Sequence, residues 1–469
     1  MFAFYNKNKT MKLDLGKPEK FSLLYSFLHN TWFRLLFFVW YKNITWTNIQ
    51  RLYAKYPIII AANHQNSLMD PLVILGIETR QITWLARADI FKNPLAGRIL
   101  RFMRIMPAFR QRDGKEQLAN NELVFNKCVD ILAAKKVLAI FPEGTHWGYR
   151  RLRETKKAIP RIAFLTEEKF NFTLNTHILP IGINYSNYTR LRGNILINFG
   201  TPIPVKQYED LYKKNPQEAQ NKMRDDIETE LQKQMIHIKH TDENYEIFDS
   251  LRYICEKITQ NYYQFKGKKA KKQFDTHKKI IELLDICYTN KPHVYEEIKN
   301  ATSSYTNEIK KYNFKDWLVT TKGGDTFSIV LNILILIALS PIFCIGYIFH
   351  GYLFKLFNSL AKKLAKDVQF HNSLNFCFTY LVGPFIYALY SIIFILVTNF
   401  TWWYIFPFCI GLFISGIISF EYYIAAKKTY HMIRYNFIQL TTPQITDSIE
   451  KQRRKIIKMF STLLHEQNQ

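Results

Sequence analysis

Short apolar runs alternate with longer segments of helical periodicity over residues 51–206. Bounded by turn residues, the runs predict β-strands at YPIIIAANH, QITWLARA, KVLAIFPEG, HILPIGINY and NILINFGTPIP. Between two of them, residues 115–136 place Val124, Cys128 and Leu132 on one helical stripe, as in a helix that covers a sheet. The alternation predicts an α/β fold, a sheet domain flanked by helices.

The pattern changes at residue 207. As far as residue 322 the chain is charged, poor in glycine and helix-periodic, so we predict an all-helical region over 207–322. Within it, the lysine-rich run KGKKAKK at residues 266–272 is typical of a solvated loop. Adhesion of this run to acidic lipid headgroups is the functional alternative.

Two later stretches, residues 326–354 and 368–420, contain no Asp, Glu, Lys or Arg. Each is longer than the roughly 20 residues that span a bilayer, and the second fits two spanning helices joined near residues 399–401. The alternative is a buried core of a soluble domain. Composition therefore favours C-terminal membrane helices after the helical region.

Clusters of Lys and Arg flank these stretches at residues 310–322, 355–366 and 427–434, and such clusters favour the cytoplasmic side. Three full crossings would put one cluster outside. A first stretch that turns at Ser340 and Pro341 would leave all three inside. We therefore expect a membrane segment at 326–354, re-entrant with a spanning helix as the alternative, then a transmembrane hairpin at 368–426 and a basic cytoplasmic tail at 427–469.

The segment before the sheet, residues 1–50, contains the apolar and aromatic run FSLLYSFLHNTWFRLLFFVWY. His29, Asn30 and Arg34 lie in the middle of this run, which favours interfacial or half-embedded N-terminal helices over a spanning helix. The alternative is an ordinary amphipathic helix packed on the sheet domain.

Charge narrows the choice of partner. The 469 residues include 64 basic and 38 acidic side chains, a formal net charge of +26, which favours nucleic acid, a phosphorylated substrate or an acidic membrane. A hydrophobic fraction of 48% excludes intrinsic disorder, and the six cysteines show no paired metal-ligand spacing. Because the basic residues recur beside apolar stretches and not along an aromatic-studded groove, we expect an anionic phospholipid membrane as partner and no nucleic acid.

A histidine and a carboxylate follow the first predicted strand, in NHQNSLMDP. His64 and Asp70 thus lie at the carboxyl end of a strand, where the sites of open α/β sheets lie. Being six positions apart, they can meet only if the chain between them doubles back. A neutral histidine held by a carboxylate can remove a proton from an alcohol near neutral pH. The structural alternative is that Asp70 caps a helix that begins at Pro71.

Arginines crowd the stretch ILRFMRIMPAFRQRDG. Arg98, Arg101 and Arg104 fit a solvated basic face. By contrast, Arg110 and Arg112 bracket a turn directly after an apolar, strand-like run, and their guanidinium groups suit a phosphate in geometry and charge. We therefore favour a functional role for these two.

Two further blocks follow predicted strands or lie within them. In FPEGTH, a glycine after a strand lets backbone amides approach an anion, and Glu143 is placed to orient a hydroxyl or an arginine unless it is a surface carboxylate in a turn. In ILPIGI, Pro180 stands inside a strand-like run, which predicts an edge strand or a bulge.

Taken in this order, the blocks NHQNSLMD, MPAFRQRD, FPEGTHW and ILPIGI resemble the glycerol-3-phosphate and 1-acylglycerol-3-phosphate (lysophosphatidate) acyltransferase family of phospholipid synthesis. The resemblance covers roughly residues 52–204 and implies an α/β acyltransferase domain at 51–206. It implies that His64 is the general base on the acceptor hydroxyl and that Asp70 orients it.

The same resemblance implies the substrate-binding residues. Those expected to bind the glycerophosphate end of the acceptor are Arg110, Arg112, Glu143, Gly144 and Thr145. Pro180 would lie on the acyl-donor side. The spacer between His64 and Asp70 is one residue longer than in the commonest family form, as in some members that acylate glycerol 3-phosphate. Phe109 also stands where an acidic residue usually precedes the arginine, so the acceptor stays open.

We therefore expect a membrane-bound O-acyltransferase that moves a fatty acyl group from acyl-CoA or acyl-carrier protein to lysophosphatidate, giving phosphatidate. The alternatives are transfer to glycerol 3-phosphate or another lysolipid and, in a different class, a non-catalytic lipid-binding tether. Apart from the acyl thioester, which is a co-substrate, the reaction needs no cofactor and no metal. A lipid hydrolase is disfavoured because the sequence has no Gly-x-Ser-x-Gly elbow. We expect an integral membrane protein whose catalytic domain faces the cytoplasm, as in a bacterial inner membrane.

Overall fold

The computed structural model describes residues 14–18, 20–109, 115–240 and 244–466, without the side chains of residues 95–96 and 115–119. The chain divides into two compact units, Met1–Met235 and Ile236–Gln469. The first contains the sheet, and the described part of the second is helical.

In the described part of the first unit, the sheet has eight strands in the order β1-β7-β6-β2-β5-β3-β4, with β8 paired to β6. The strands are β1 (Asn43–Thr47), β2 (Ile58–Ala62), β3 (Ile82–Arg87), β4 (Ile105–Ala108), β5 (Val137–Ile140), β6 (His177–Tyr185), β7 (Asn194–Phe199) and β8 (Ile203–Pro204). Only the β6–β7 and β6–β8 pairs are antiparallel. Every residue of β2 and β5 is buried, as in a sheet covered on both faces.

The five predicted strands are confirmed as β2, β3, β5, β6 and β7, but the predicted start of the sheet domain at residue 51 is wrong. Strand β1 pairs in parallel with β7, so the sheet begins at Asn43. The sequence NITWT is short and consists of exposed and half-buried residues, because β1 is an edge strand. Such a strand lacks the continuous apolar run that revealed the central strands.

Helices cover the sheet in the first unit. They are α1 (Leu23–Leu28), α2 (Arg34–Trp40), α3 (Met69–Ile77), α4 (Pro94–Phe102), α5 (Lys115–Ala133), α6 (Ala158–Lys169), α7 (Glu209–Lys214) and α8 (Pro216–Gln234). Val124, Cys128 and Leu132 of α5 are fully buried in the core, which confirms the predicted sheet-covering helix.

The predicted domain boundary at residues 206/207 is also wrong, because α8 belongs to the sheet domain. Its stripe Met223, Ile227 and Leu231 lies in the same buried cluster as strand residues Ile59 and Ile178. The charged, polar face of α8 is similar to the helices that follow, so the sequence pattern grouped α8 with them. Its apolar residues recur every four positions and form one face that packs on the sheet. The first unit therefore extends to Met235.

Strand β6 is not the edge strand that Pro180 predicted. It lies between β2 on one side and β7 and β8 on the other. On that second side, β8 pairs with residues 177–178 and β7 with residues 181–185, so Pro180 stands where the partner changes. A residue without an N–H is tolerated at such a break in the ladder.

The N-terminal run forms α1 and α2, joined by one π-helical turn, His29–Phe33. One face packs on the sheet domain: Phe37 is fully buried, and His29 Nε2 lies 2.8 Å from the carbonyl oxygen of Leu75. The other face leaves large apolar side chains exposed, namely Phe21, Leu23, Leu24, Phe27, Leu35 and Phe38. The segment therefore packs on the sheet domain and also keeps an apolar outer face.

The second unit consists of helices in its described part. They are α9 (Tyr245–Ile254), α10 (Glu256–Tyr263), α11 (Lys269–Asn290), α12 (Pro292–Lys311), α13 (Asp316–Thr321), α14 (Thr326–Gly346), α15 (Tyr352–Leu364), α16 (Gln369–Thr398), α17 (Ile405–Thr441) and α18 (Pro443–Glu466). Within the segment expected to be a basic tail, residues 427–466 form the end of α17 followed by α18. Arg453 of α18 binds Asp316 at 2.8 Å, and Tyr305 of α12 donates to the same carboxylate at 2.6 Å.

Three helical segments in the described chain are long and apolar enough to cross a membrane: Thr326–Leu364, Gln369–Thr398 and Trp402–Thr441. The re-entrant turn expected at Ser340 and Pro341 is therefore wrong, since the helix continues through both residues. A continuous helix satisfies its own backbone groups in an apolar medium, which a turn in mid-membrane cannot do. Ser340 Oγ additionally donates to the Ile337 carbonyl, one turn earlier.

Helices α14 and α17 lie side by side and antiparallel. Asn436 of α17 donates to the Gly324 carbonyl, just before α14. Ser419 of α17 donates to the Phe343 carbonyl of α14 at 3.0 Å. Beyond the end of α14, His350 Nε2 lies 3.0 Å from the carbonyl oxygen of Leu412 in α17. As the chain advances along α14, its contacts thus move backwards along α17. The basic clusters at 310–322 and 427–434 consequently flank the same end of this pair.

Candidate active site

The candidate site lies at the carboxyl ends of three neighbouring strands. Strand β2 pairs in parallel with β5 on one side and β6 on the other, so the three strands end at the same edge of the sheet. Beyond β2 comes His64, beyond β5 comes Glu143, and β6 ends in Tyr185. The topology thus assembles residues that are far apart in sequence.

The loop between β2 and α3 doubles back, as the spacing of His64 and Asp70 requires. Ser67 takes a left-handed backbone conformation with φ of 49°, and α3 begins two residues later. This reversal brings Nδ1 of His64 to 2.8 Å from Oδ2 of Asp70. The same oxygen accepts the backbone N–H of Asn66 at 2.8 Å, which fixes the loop around the carboxylate.

Asp70 does not cap α3, so the structural alternative is wrong. The residue at the N-cap is Leu68, and Asp70 is the second residue of the helix. Its carboxylate points back to the loop, towards His64 and Asn66, rather than to the free N–H groups of the first turn. The role of Asp70 in the fold is therefore inseparable from its contact with His64.

The Asp70 carboxylate is fully buried, with a side-chain exposure of 0%. Its second oxygen, Oδ1, accepts the phenol hydroxyl of Tyr185 at 2.7 Å. Among the described residues no Lys or Arg pairs with it, so its charge is stabilised by hydrogen bonds from Asn66, Tyr185 and His64. Burial, and then the Asp70 charge, raise the pKa of Tyr185 well above its usual value, so this phenol remains a donor.

The His64 ring is held on one side and open on the other. Its Nδ1 faces Asp70, whereas no described residue is a hydrogen-bond partner of Nε2, and the side chain is 16% exposed. The ring stacks on Phe141 with centroids 4.1 Å apart, and His146 meets it edge-on at 5.6 Å. Since the carboxylate binds Nδ1 as its N–H, Nε2 carries the free lone pair and can accept a proton.

Glu143 connects the two loops of the site. Its Oε1 accepts the backbone N–H of His64 at 2.6 Å, and its Oε2 accepts that of Arg153 at 2.9 Å. Burial raises its pKa to about 8 although both hydrogen bonds act in the opposite direction. Both described hydrogen bonds of this buried side chain thus come from backbone N–H groups. Glu143 therefore connects the loop after β2 to the loop after β5.

Gly144 and Thr145 form the turn after β5. Gly144 has a φ of 69°, a left-handed conformation that suits glycine, and its N–H donates to the Phe141 carbonyl at 3.1 Å. Gly144 is exposed and Thr145 half-buried. The glycine is therefore explained by the turn, and a role in acceptor binding stays a prediction for both residues.

Arginines after this turn have two different surroundings. Arg150 is buried and donates to the Tyr185 carbonyl at 2.9 Å, which ties the β5 loop to the end of β6. Arg151 and Arg153 lie against the Trp147 ring, with guanidinium carbons 5.7 and 5.0 Å from its centroid. Stacking of this kind leaves the edge of a guanidinium free for an anion.

The remaining predicted residues are Arg110, Arg112 and Pro180. Arg110 and Arg112 lie outside the described residues. The described chain reaches Phe109, just beyond β4, at the sheet edge where the parallel strands end. Pro180 is buried inside β6 opposite Ala61, not at the strand end. The roles predicted for these residues stay predictions.

Sequence reasoning missed Tyr185 and Arg150. Tyr185 is the last residue of the predicted strand HILPIGINY, so its place at the carboxyl edge was readable, but its contact with Asp70 depends on which strands are neighbours. Arg150 lies in the basic run YRRLR at residues 149–153, and the sequence alone does not reveal that this arginine is buried. Among the described residues, no group of three or more His, Cys, Asp or Glu side chains is placed to hold a metal ion.

Comparison with known proteins agrees with the four blocks. Residues 43–184 match the family model Acyltransferase. Among solved structures, the chain is similar to the 1-acyl-sn-glycerophosphate (LPA) acyltransferase PlsC of Thermotoga maritima, with 18% identity over 44% of this chain and 79% of that chain and a TM-score of 0.30. No curated protein matches the chain. The match to the family model confirms the resemblance recognised in the sequence: residues 43–184 are an acyltransferase domain.

Proposed function

We propose that this protein transfers a fatty acyl group from a thioester, acyl-CoA or acyl-carrier protein, to the free hydroxyl of lysophosphatidate, giving phosphatidate. The observation that carries the proposal is the His64–Asp70 pair, 2.8 Å apart in an acyltransferase domain, with Nε2 of the histidine open. A base held in this way serves a reaction that begins with removal of a proton from an alcohol.

The chemistry follows from the two ring nitrogens. His64 Nε2 takes the proton of the acceptor hydroxyl as its oxygen attacks the thioester carbonyl. The tetrahedral intermediate then expels the thiolate, and the proton on His64 passes to this sulfur. Asp70 remains ionised and stabilises the imidazolium through Nδ1. One C–O bond forms, one C–S bond breaks, and the histidine returns to its starting state.

Binding of the acceptor phosphate would fall to basic residues at the same edge of the sheet. Arg110 and Arg112 follow β4 in sequence, and Arg151 and Arg153 lie beside Trp147 after β5. Guanidinium groups neutralise a phosphate and fix its orientation, which places the hydroxyl against the base. This supports a phosphorylated acceptor but does not separate lysophosphatidate from glycerol 3-phosphate.

The apolar helices favour the lipid acceptor. Three helical segments have the length and composition of membrane spans, and a protein held in a bilayer meets lysophosphatidate where that lipid resides. We propose an integral membrane enzyme whose basic end faces the cytoplasm. Glycerol 3-phosphate, another lysolipid and the non-catalytic tether are the alternatives.

The test is acyl transfer by the full-length protein in detergent. Labelled acyl-CoA and acyl-carrier protein are each offered with lysophosphatidate, glycerol 3-phosphate and a lysolipid with a different headgroup. His64→Ala is the inactive variant, and His293→Ala, at an exposed position of α12, controls for loss of a histidine. We expect phosphatidate from the native protein and from His293→Ala, and none from His64→Ala.

Each other outcome selects an alternative. Products from glycerol 3-phosphate alone would move the protein to the first acylation step, and products from the other lysolipid alone would replace the acceptor. Absence of transfer to every acceptor from either donor, with a folded native protein, would favour the tether.

A further inference from the structure

The Tyr185 side chain contacts the candidate dyad from the strand opposite the β5 loop. Its phenol hydroxyl donates to Asp70 Oδ1 at 2.7 Å, while Oδ2 of the same carboxylate faces His64 and the Asn66 N–H. Tyr185 and Asp70 are both buried. We infer that Tyr185 is a positioning residue, whose hydroxyl keeps the Asp70 carboxylate turned so that Oδ2 meets His64. The inference rests on the proposed function.

The carboxylate needs this contact because it is otherwise held at one oxygen only. The described partners of Oδ2 are Asn66 and His64, and the described partner of Oδ1 is Tyr185. With phenylalanine at position 185, Oδ1 would be a buried acceptor without a donor. A buried anion that loses one of its donors binds a proton more readily.

A proton that enters the pair goes to the open Nε2 of His64. Loss of the phenol hydrogen bond destabilises the pair while it carries a net negative charge, so His64 gains this proton at a higher pH. A larger fraction of the histidine is then protonated at neutral pH and cannot act as a base. A residue that only packs against its neighbours would not move this midpoint.

The end of β6 supports Tyr185 from behind. Arg150 donates to the Tyr185 carbonyl, and the Tyr188 carbonyl accepts the side-chain amide of Asn66 at 3.0 Å. The hydroxyl of Tyr188 donates to Gln65 at 2.9 Å. Tyr185 and Tyr188 therefore make three hydrogen bonds to the loop between His64 and Asp70, and of these only the one from the Tyr185 hydroxyl reaches the Asp70 carboxylate.

The chain offers a matched control in Tyr41. This tyrosine is also buried, and its ring centroid lies 6.4 Å from that of Tyr185. Its hydroxyl has no hydrogen-bond partner among the described residues. Tyr41→Phe removes the same atom from the same core without touching Asp70, so it reports the effect of the deletion alone.

The first experiment measures the His64 ring without any acyl substrate. Diethyl pyrocarbonate modifies only the neutral imidazole, so its rate at His64, followed by peptide mass spectrometry across pH, gives the protonation midpoint. We expect the midpoint of Tyr185→Phe to rise by about half a pH unit to one unit and that of Tyr41→Phe to equal the native value. Equal midpoints in all three proteins would overturn the inference.

The second experiment measures acyl transfer by the same proteins, with thermal unfolding to verify that each is folded. We expect kcat of Tyr185→Phe to fall roughly tenfold, the size of a hydrogen bond to a charged group, with KM for the thioester unchanged. Tyr41→Phe should keep native kcat. Equal kcat in the two variants would overturn the inference. An inactive native protein would overturn the proposed function. The modification experiment would still decide whether the Tyr185 hydroxyl affects the protonation of His64.

Discussion

The Asp70 carboxylate is buried inside the sheet domain, and its partners among the described residues are hydrogen-bond donors rather than a Lys or Arg side chain. Burial without a donor would raise the energy of this anion, so each donor of the set has a measurable effect. Within this pair, Nε2 of His64 is the atom that has no hydrogen-bond partner among the described residues.

Replacement of Asp70 by Asn keeps the size of the side chain and removes its charge. An amide can present its N–H₂ to Nδ1 and so favour the ring tautomer whose Nε2 carries a proton, which cannot accept another. We expect kcat to fall by at least roughly a hundredfold with little change in KM. The measurement is steady-state acyl transfer, and near-native kcat in a correctly folded Asp70→Asn protein would contradict the proposed base.

The raised pKa of Glu143 predicts that the free energy of unfolding depends on pH. Burial raises its pKa in the folded state to about 8, above the unfolded value, so the native state holds a proton that the unfolded chain releases as the pH rises. Its contribution to stability is therefore full at low pH and falls between about pH 4.5 and 8, by up to about 1.4 kcal/mol per pH unit.

Glu143→Gln is neutral at every pH and lacks this slope. It keeps one acceptor oxygen and loses one backbone hydrogen bond, so the variant should be less stable than the native protein at pH 5, and the difference should narrow towards pH 8. Thermal unfolding at pH 5, 6, 7 and 8 makes the comparison. A difference that stays constant or widens would show that Glu143 is ionised throughout.

At the scale of elements, the sheet domain is closed by α8 and the membrane region by the α14–α17 pair. The last turn of α8 docks on the sheet: the Gln234 carbonyl accepts the side-chain amides of Asn184 in β6 and Asn198 in β7, at 2.9 and 3.0 Å. In the α14–α17 pair, small residues add close packing to hydrogen bonds such as that from Ser419 to the Phe343 carbonyl. A Cβ on Gly346 would overlap Ser419 Oγ and the Ser415 carbonyl oxygen, so the two backbones approach closely there.

Gly346→Val should separate this pair. The added side chain overlaps backbone of α17, which a rotamer change cannot relieve, and we expect a loss of roughly 1–3 kcal/mol in the free energy of unfolding in detergent. Gly411→Val is the matched control, because nothing lies within 4 Å of a Cβ at Gly411 of α17. Equal thermal stability of the two variants would mean that the helices do not pack at Gly346 in solution.

At the scale of the whole chain, the antiparallel α14–α17 pair restricts the topology. If both helices span the bilayer, the basic clusters at 310–322 and 427–434 lie on one face. The chain between them, which includes α15 and α16, must then begin and end on the other face, so that it crosses the bilayer an even number of times or not at all. Trp402 and Trp403, at the start of the third apolar segment, suit the interface on that side.

Single cysteines in a variant without the six native cysteines test this topology. We expect residues 322 and 434 to react with a membrane-impermeant maleimide from the cytoplasmic side only, and residue 402 from the opposite side only. Labelling in right-side-out and inverted vesicles makes the measurement. Reaction of residues 322 and 434 from different sides would exclude the antiparallel pair as two spanning helices.

The sequence by itself determined the α/β class, the five inner strands and the apolar helices, and it proposed His64 and Asp70 as the candidate base and its partner. These follow from local patterns: apolar runs bounded by turn residues, helical stripes and charge-free stretches long enough for a bilayer. The order of the four blocks then led to the acyltransferase family, which the family model confirms for residues 43–184.

Only the tertiary structure decided which residues meet. Tyr185 reaches Asp70 because β6 is the neighbour of β2, and Glu143 reaches the His64 backbone because β5 is the other neighbour. Strand order depends on packing over the whole sheet, not on any local pattern. For the same reason the sequence did not predict the place of β1 and α8 in the sheet domain, and it wrongly predicted a turn at Pro341. An exposed edge strand, a helix with one polar face and a proline inside an apolar helix each carry a local signal that long-range packing overrides.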